Sequence, residues 1–201
     1  MNLDVLGVLS IVLAYFLGSL SSAIIVCHLM KLEDPRKVGS KNPGATNVLR
    51  IGGGRAAIIT LMGDVFKGLV SVIIAYALLL PVQYIALVGF MVFVGHLYPV
   101  FFAFKGGKGV ATFVGVLIGF NWLCGLMVVV TWLLVTFIFR ISSLAALTSA
   151  FMSPIYFLVV VNDIYVVTVI SLMAMMIFWR HKINIHNLIE GTESKIGLGK
   201  K

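Results

Sequence analysis

A short polar stretch, FKGGKGVAT at residues 104–112, interrupts a chain that is otherwise mostly apolar. It combines two lysines with three glycines. Because glycine has no side chain, successive backbone N–H groups can approach an anion closely, and the ammonium groups add positive charge. The stretch lacks the G-x-x-x-x-G-K-[ST] spacing of a Walker A loop. We therefore predict a different kind of phosphate-binding loop, formed by Lys105, Gly106, Gly107 and Lys108.

A second stretch, GSKNPGATNVLR at residues 39–50, has a similar character. Pro43 favours a turn, and the flanking glycines permit backbone conformations that other residues rarely adopt. A short helix starting at Thr46 or Asn47 would direct its free N–H groups at an anion, and the planar guanidinium group of Arg50 suits phosphate. An ordinary turn with surface charges is the alternative. The candidate site residues of this stretch are Ser40, Asn42, Gly44, Thr46 and Arg50.

A third stretch, RHKINIHNLIEGTESK at residues 180–195, follows the last apolar run. If a helix continues through it, His181 and Asn184 lie three residues apart on one face. Imidazole titrates near neutral pH, so His181 can act as a general acid or base. A cluster of polar side chains at a membrane edge is the alternative explanation.

Further ionisable and thiol groups lie inside apolar runs. GDVFKG places Asp64 and Lys67 three residues apart, and GHLYP places His96 near the end of its run. Charged groups in a membrane are costly, and they usually pair or face the bundle interior. We predict either a self-neutralising structural pair or one that supports the site, with Lys67 as a further phosphate ligand, and a structural role for His96. Cys27 and Cys124 are predicted to be free thiols.

The elements that must position these residues are membrane spans. Of 201 residues, 61% are apolar and 11% are charged, against about 45–50% and ~25% in soluble domains. Apolar runs of the ~20 residues that cross a bilayer recur along the chain. The runs 110–139 and 142–179 exceed the ~30 Å hydrocarbon core, and we split them at GFN (119–121) and ND (162–163). An all-α polytopic membrane protein is predicted, a seven-helix bundle with spans at 4–30, 56–80, 82–103, 110–120, 122–139, 142–161 and 163–179.

The charges are distributed unevenly between the two faces of this bundle. With the N-terminus outside, every Lys and Arg except Lys67 falls at or near the inner face, and the outer loops carry none. This matches the positive-inside rule and predicts a cytoplasmic C-terminus. The polar inner segments are 31–55, 104–109 and 180–201. A five-span alternative would place Arg140 outside.

These stretches resemble the bacterial membrane acyl-phosphate:glycerol-3-phosphate acyltransferases, the PlsY family. The resemblance covers nearly the whole chain. It rests on LGSLSSA (17–23), GSKNPGATNVLR, GDVFKG, GHLYPVFFAFKGGKGVAT and RHKINIHNLIEGTESK, in the family's order and spacing. The family usually has Gly where this chain has Lys41, which either changes the local conformation or adds a charge.

The resemblance implies a single integral-membrane acyltransferase domain over residues 1–201. It would move a fatty acyl group from acyl phosphate to the 1-hydroxyl of glycerol 3-phosphate, giving 1-acyl-glycerol 3-phosphate (lysophosphatidic acid) and inorganic phosphate. This is the first acylation step of bacterial phospholipid synthesis. Phosphate is a competent leaving group, so the cationic loops need only hold phosphates and stabilise an oxyanion. His181, Asn184 and Ser40 are the implied catalytic residues, and both His181 and the substrate's own phosphate are candidates for the base.

The resemblance also implies an active site at the cytoplasmic face of the bacterial inner membrane. No cofactor, metal or nucleic acid is expected. The enzyme that makes acyl phosphate and the next acyltransferase would be functional partners. A transporter for a phosphorylated solute is the main alternative, although transporters tend to have internal repeats and midplane sites, and we find neither. A non-catalytic membrane scaffold would not explain the glycine–lysine loop.

Overall fold

The computed structural model describes residues 3–196 and contains helices but no β-strand in this range. The prediction of an all-α fold is confirmed there. Residues 197–201 of the predicted inner segment 180–201, with Lys200 and Lys201, lie outside the described residues. A short 3₁₀ helix, Val100–Phe102, follows the fourth α-helix. The α-helices of the described chain are α1 (Leu3–Gly18), α2 (Ser22–Leu29), α3 (Ala45–Ala77), α4 (Val82–Leu97), α5 (Val110–Phe120), α6 (Trp122–Phe139), α7 (Ser142–Val160), α8 (Ile164–Arg180) and α9 (Lys182–Ile189).

Two helix boundaries fall at the polar breaks predicted from the sequence. Asn121 precedes α6, and its Oδ1 accepts a hydrogen bond from the backbone N of Cys124 at 3.0 Å. Asp163 precedes α8, and its Oδ1 accepts from the backbone N of Tyr165 and of Val166, both at 3.0 Å. Such caps satisfy N–H groups that the first turn of a helix leaves without partners. The chain is therefore interrupted at GFN and ND for a local reason.

Glycines allow two pairs of helices to pack with their backbones in contact. A Cβ added to Gly115 of α5 would lie 2.0 Å from the carbonyl oxygen of Val65 in α3. One added to Gly18 of α1 would lie 2.1 Å from that of Val92 in α4. Small residues have this role in lipid, where close backbone packing holds helices together. These contacts join α3 to α5 and α1 to α4, and α6, α7 and α8 pack beside them.

The side chains sort into a buried interior and an apolar exterior. Phe93, Phe113 and Phe157 are fully buried between helices, whereas Phe137 of α6 and Val159 of α7 are 85% and 78% exposed. Many other large apolar side chains are also exposed, which is unusual for a protein in water and suits a surface that faces lipid. Both cysteines are buried and free, as predicted.

The number of membrane crossings is bounded by helix length and composition. Four stretches are long and apolar enough to cross: α3, α4 with its 3₁₀ extension, α6 and α7. Two bent pairs, α1–α2 and α8–α9, raise the number to six if each forms one span. The predicted short span at 110–120 corresponds to α5, which has only 11 residues. The count of seven spans stays a prediction.

The two ends of the bundle carry different residues. Arg140, which follows α6, accepts a hydrogen bond at its carbonyl from the backbone N of Ile196 at 2.7 Å, so it lies beside the last inner segment. At the opposite end, the hydroxyl of Tyr84 donates to Asp4 at 2.8 Å. The five-span alternative places Arg140 on the face opposite that segment and disagrees with this arrangement. Which end faces the cytoplasm stays a prediction.

Candidate active site

The three polar segments meet at one end of the bundle. The loop before α3 rests against the loop before α5, since a Cβ added to Gly107 would lie 3.0 Å from the carbonyl oxygen of Pro43. The loop before α5 reaches α9, where the ammonium group of Lys108 donates to Oδ1 of Asn184. The segment after α9 returns to α3, because Arg50 Nη2 of α3 donates to the hydroxyl of a serine in that segment at 2.8 Å. The structure therefore brings together residues that are far apart in the sequence.

Asn47 organises the first of these segments. Its side chain is buried, with Oδ1 accepting from Ser40 N at 2.9 Å and Nδ2 donating to the carbonyls of Pro35 and Val38 at 2.9 and 3.0 Å. Gly39 has a left-handed φ of 62°, and a Cβ there would lie 2.2 Å from Asn47 Oδ1. One amide group thus folds residues 35–40 into a compact turn in front of α3.

The first part of α3 is a separate short helix, as the sequence indicated. It begins at Ala45, one or two residues before the predicted start at Thr46 or Asn47. Gly44 is the N-cap, and Gly53, with φ 73° and ψ −174°, interrupts the helix. The first turn lies at the same end of the bundle as Lys108, and its orphan N–H groups suit an anion.

Lys41 adopts a backbone conformation that favours glycine. Its φ is 56°, in the left-handed region, and its side chain is exposed. This conformation costs an L-residue with a side chain about 1–2 kcal/mol. Lys41 therefore combines a glycine-type backbone conformation with an exposed charge.

The two adjacent glycines of the second segment lie against the end of α4. A Cβ added to Gly106 would lie 2.1 Å from the carbonyl oxygen of His96, and one added to Gly107 would lie 2.3 Å from His96 Nε2. The N–H of Gly107 donates to that same carbonyl at 3.2 Å. This N–H is directed at α4 rather than at a ligand, contrary to the anion cradle predicted at this residue. The glycines are needed for packing.

Lys108 begins a chain of polar contacts that joins the loop before α5, α9, the segment after α9 and α7. It donates to Asn184 Oδ1, and Asn184 Nδ2 donates to Glu193 Oε1 at 2.6 Å. The hydroxyl of Ser143 donates to the same carboxylate oxygen at 2.6 Å, and Asn187 Nδ2 donates to Oε2 at 3.2 Å. Glu193 therefore orients the Asn184 amide so that its oxygen faces Lys108.

Positive charge is concentrated around Lys108. Burial is the largest influence on the pKa of Lys108 and lowers it, Glu193 raises it, and Arg180 and Arg50 lower it further. Burial and the two like charges both disfavour the protonated amine. A bound phosphate would offset this repulsion, so the arrangement favours an anionic ligand.

His181 follows the last residue of α8 and is 3% exposed. Its Nδ1 lies 2.8 Å from the carbonyl oxygen of Ile177, which can only accept, so Nδ1 carries the hydrogen and Nε2 is left as a base. Burial, followed by the positive charge of Lys108, lowers the pKa of His181 to about 4. The imidazole is therefore neutral at pH 7.

Lys67 does not belong to this group. Its Nζ donates to the carbonyl oxygen of Leu20 at 2.7 Å and lies 2.9 Å from Asp64 Oδ1. His96 Nδ1 is 3.5 Å from the same carboxylate oxygen. Leu20 lies in the break between α1 and α2, so Lys67 supplies a donor to a carbonyl that the break leaves free. Its position inside the bundle contradicts the prediction of a phosphate ligand and agrees with the structural alternative.

The other predicted residues lie near the same end with fewer contacts to the group. Ser40, Thr46 and Lys105 are exposed, and Asn42 is half-buried. The Thr46 hydroxyl lies 3.4 Å from that of Ser142, next to Ser143. Within residues 3–196, no hydrogen bond or ion pair joins the Lys105 side chain to Lys108 or Asn184, so its part in binding stays a prediction.

Three residues of this region were missed as site residues by sequence reasoning: Asn47, Arg180 and Glu193. All three lie inside the sequence motifs described above, and the motifs were the signal that could have pointed to them. A motif does not show, however, which of its residues contact one another. In the described part of the chain, no three His, Cys, Asp or Glu side chains group as a metal site would require.

The sequence model described as "Glycerol-3-phosphate acyltransferase" matches residues 8–191. This chain belongs to the glycerol-3-phosphate acyltransferase family. Within the family, the glycerol-3-phosphate acyltransferase of Methylococcus capsulatus is 53% identical over 184 residues, which cover 92% of this chain and 93% of that protein.

Solved structures of the glycerol-3-phosphate acyltransferase family confirm the resemblance to PlsY. The crystal structure of PlsY, an integral membrane glycerol 3-phosphate acyltransferase, in its glycerol 3-phosphate form aligns with a TM-score of 0.91 and 32% identity, covering 95% of this chain and 96% of that one. Its lysophosphatidic acid form aligns with a TM-score of 0.88 and 31% identity, covering 95% of each chain. The chain is therefore an integral membrane protein, and glycerol-3-phosphate acyltransfer is the activity its site has to explain.

Proposed function

We propose that this protein transfers a fatty acyl group from acyl phosphate to the 1-hydroxyl of glycerol 3-phosphate. The products are 1-acyl-glycerol 3-phosphate and inorganic phosphate. The observation that carries the proposal is the convergence of positive charge from Arg50 and Arg180 on Lys108, which itself lies near a neutral His181, at one end of an apolar bundle. Two phosphate-bearing substrates need such a concentration of positive charge, and a hydroxyl acceptor needs a nearby base.

The chemistry requires one bond to form and one to break at the acyl carbon. The 1-hydroxyl oxygen attacks the carbonyl carbon and forms the ester bond, and the bond from that carbon to the phosphate oxygen breaks. The leaving phosphate takes the electron pair. Lys108 and Arg50 would stabilise the negative charge that develops, and Nε2 of His181 would take the hydroxyl proton. The substrate's own phosphate is the other candidate acceptor for this proton.

The weak basicity of His181 is compatible with this role. Because phosphate is already a competent leaving group, attack and proton transfer can be concerted, and a strong base is not required. Asn184 would then hold Lys108 in place beside His181 through the hydrogen bond described above.

The location of the site suits substrates of opposite character. Glycerol 3-phosphate is soluble, whereas the donor carries an acyl chain that remains in the membrane. Residues at the end of the bundle border both phases. We place this end at the cytoplasmic face of the bacterial inner membrane, where the reaction would be the first acylation of phospholipid synthesis. An enzyme that makes acyl phosphate and a second acyltransferase would act before and after it.

The decisive experiment measures phosphate release by the purified protein in detergent. Acyl phosphate and glycerol 3-phosphate together should yield inorganic phosphate and 1-acyl-glycerol 3-phosphate in equal amounts, and neither substrate alone should do so. Acyl-CoA and acyl carrier protein are the comparison donors. Product formed from acyl-CoA but not from acyl phosphate would refute the donor assignment.

The same experiment addresses the transporter alternative. A transporter for a phosphorylated solute needs a sealed compartment and forms no ester. Lack of any ester in detergent, combined with uptake of glycerol 3-phosphate by vesicles that contain the protein, would favour transport.

A further inference from the structure

The side chain of Arg180, the last residue of α8, binds the backbone of the loop before α5. Its Nη2 donates to the carbonyl oxygens of Gly106 and Gly107 at 2.8 and 3.0 Å, and its Nε donates to Gly107 at 3.2 Å. Three hydrogen bonds from one guanidinium group therefore go to two successive carbonyls. The residue that follows them in the chain is Lys108.

Because the peptide bond is planar, these hydrogen bonds also fix the orientation of the loop backbone. In a trans peptide, the carbonyl of one residue and the N–H of the next point in opposite directions. Since the Gly106 carbonyl faces Arg180, the Gly107 N–H faces away, and it donates to the His96 carbonyl at 3.2 Å. The loop is thus held between the end of α8 on one side and the end of α4 on the other. The same rule turns the N–H of Lys108 away from Arg180.

The guanidinium group is itself held in place. Its Cζ lies 5.6 Å from the centroid of the Tyr98 ring, a cation–π arrangement. The backbone carbonyl of Tyr98 accepts from the Tyr15 hydroxyl at 2.9 Å, which ties the backbone that carries this ring to α1. The ring thus holds one face of the guanidinium group and the two carbonyls hold its edge, so its orientation is fixed.

We propose that Arg180 is a positioning residue, which clamps the carbonyls of Gly106 and Gly107 and thereby directs Lys108 at the phosphate of the substrate. The inference rests on the proposed function. It assigns Arg180 a role through Lys108, and not as a separate phosphate ligand. Lysine cannot replace arginine in this role, because a single ammonium group does not reproduce the fork that bonds two carbonyls while stacking on a ring.

A double-mutant cycle between Arg180 and Lys108 tests this inference. Arg180→Ala and Lys108→Ala should each lower kcat/KM for glycerol 3-phosphate by at least about tenfold. If Arg180 acts through Lys108, the kcat/KM of the double variant should lie within about threefold of that of Lys108→Ala alone, because no Lys108 ammonium group remains for Arg180 to position. Losses that multiply would show that Arg180 acts on the substrate independently, and would overturn the proposal.

Two milder variants distinguish a loss of positioning from misfolding. Arg180→Lys keeps the charge and should still lose at least about tenfold, and near wild-type kinetics would also overturn the proposal. Tyr98→Leu removes the ring under the guanidinium group and should lose about two- to fivefold, a loss that disappears in the Lys108→Ala background.

Lys182→Ala is the matched control. Lys182 is an exposed cation near Arg180 whose Nζ lies 5.6 Å from the Trp179 ring centroid, and no contact joins it to the loop in the described residues. It should change kcat/KM by less than about twofold.

Equilibrium binding of radiolabelled glycerol 3-phosphate should be measured on the same set of variants. If the wild-type protein binds this ligand without turning it over, the proposed function fails, while the coupling between Arg180 and Lys108 is still readable in the Kd values.

Discussion

Replacement of Lys108 should weaken use of glycerol 3-phosphate more than replacement of any other lysine on this loop. The ammonium group of Lys108 is half-buried and faces Asn184, so solvent and salt screen it less than an exposed charge. A charge-assisted hydrogen bond lost without replacement costs about 1.5–3 kcal/mol. This corresponds to a decrease of about 10- to 150-fold in kcat/KM.

The assay is phosphate release at varied glycerol 3-phosphate with acyl phosphate in excess. Lys108→Met keeps most of the apolar part of the side chain and removes the ammonium group, so it should lose about as much as Lys108→Ala. Lys105→Ala, on the exposed side chain three residues earlier, should lose no more than about fivefold, which corresponds to the ~1 kcal/mol upper range of exposed ion pairs. Lys37→Ala, on an exposed lysine of the first segment, is the control for a general charge effect.

Near wild-type kinetics in a folded Lys108→Met variant would refute the reasoning. The half-buried ammonium group would then have no part in phosphate binding, and the polar chain from Lys108 to Glu193 would be structural. Equal losses in Lys108→Met and Lys37→Ala would also contradict it, because the effect would follow from net charge and not from position.

Four further predictions can be checked separately. His181→Gln should lower kcat by at least ~100-fold if His181 is the base, and an active Gln variant would make the substrate phosphate the base. Burial and Lys108 lower the pKa of His181 to about 4, so protonation of this base should lower wild-type kcat only below about pH 5, whereas protonation of the glycerol 3-phosphate phosphate at about pH 6 acts on kcat/KM above that pH. Gly107→Ala should lower kcat/KM by at least about tenfold, because its Cβ would lie 2.3 Å from His96 Nε2, and unchanged kinetics would show that the loop can shift. Lys41→Gly should raise the free energy of unfolding in detergent by up to about 1 kcal/mol, since the strain it relieves exceeds the added chain entropy; a decrease would mean that the Lys41 side chain is stabilising. Arg140→Cys in a cysteine-free background should react with an impermeant thiol reagent only after permeabilisation, and labelling of intact cells would restore the five-span alternative.

Much of the architecture was predictable because membrane helices obey local rules. Twenty apolar residues can cross a bilayer whatever their partners are, so the helical runs could be located from composition alone. Asn121 and Asp163 were recognisable as breaks because a short polar side chain in an apolar run competes for backbone hydrogen bonds. The short helix at the start of α3 followed from Gly44 and its neighbours for the same local reason.

The sequence by itself determined the all-helical membrane fold, the family, and the three segments from which the site is built. It predicted Lys108, His181 and Asn184 as site residues because they lie in the motifs that carry the resemblance to the PlsY family. The tertiary structure alone decided which partner each polar group meets. Lys67 and Lys108 look alike in the sequence, yet one bonds the Leu20 carbonyl inside the bundle and the other faces Asn184 at its end. Glu193 and Arg180 gained their roles in the same way. The physical reason is that a hydrogen bond depends on distances of about 3 Å between atoms, and residues 70 or more positions apart reach such distances only through the packing of whole helices.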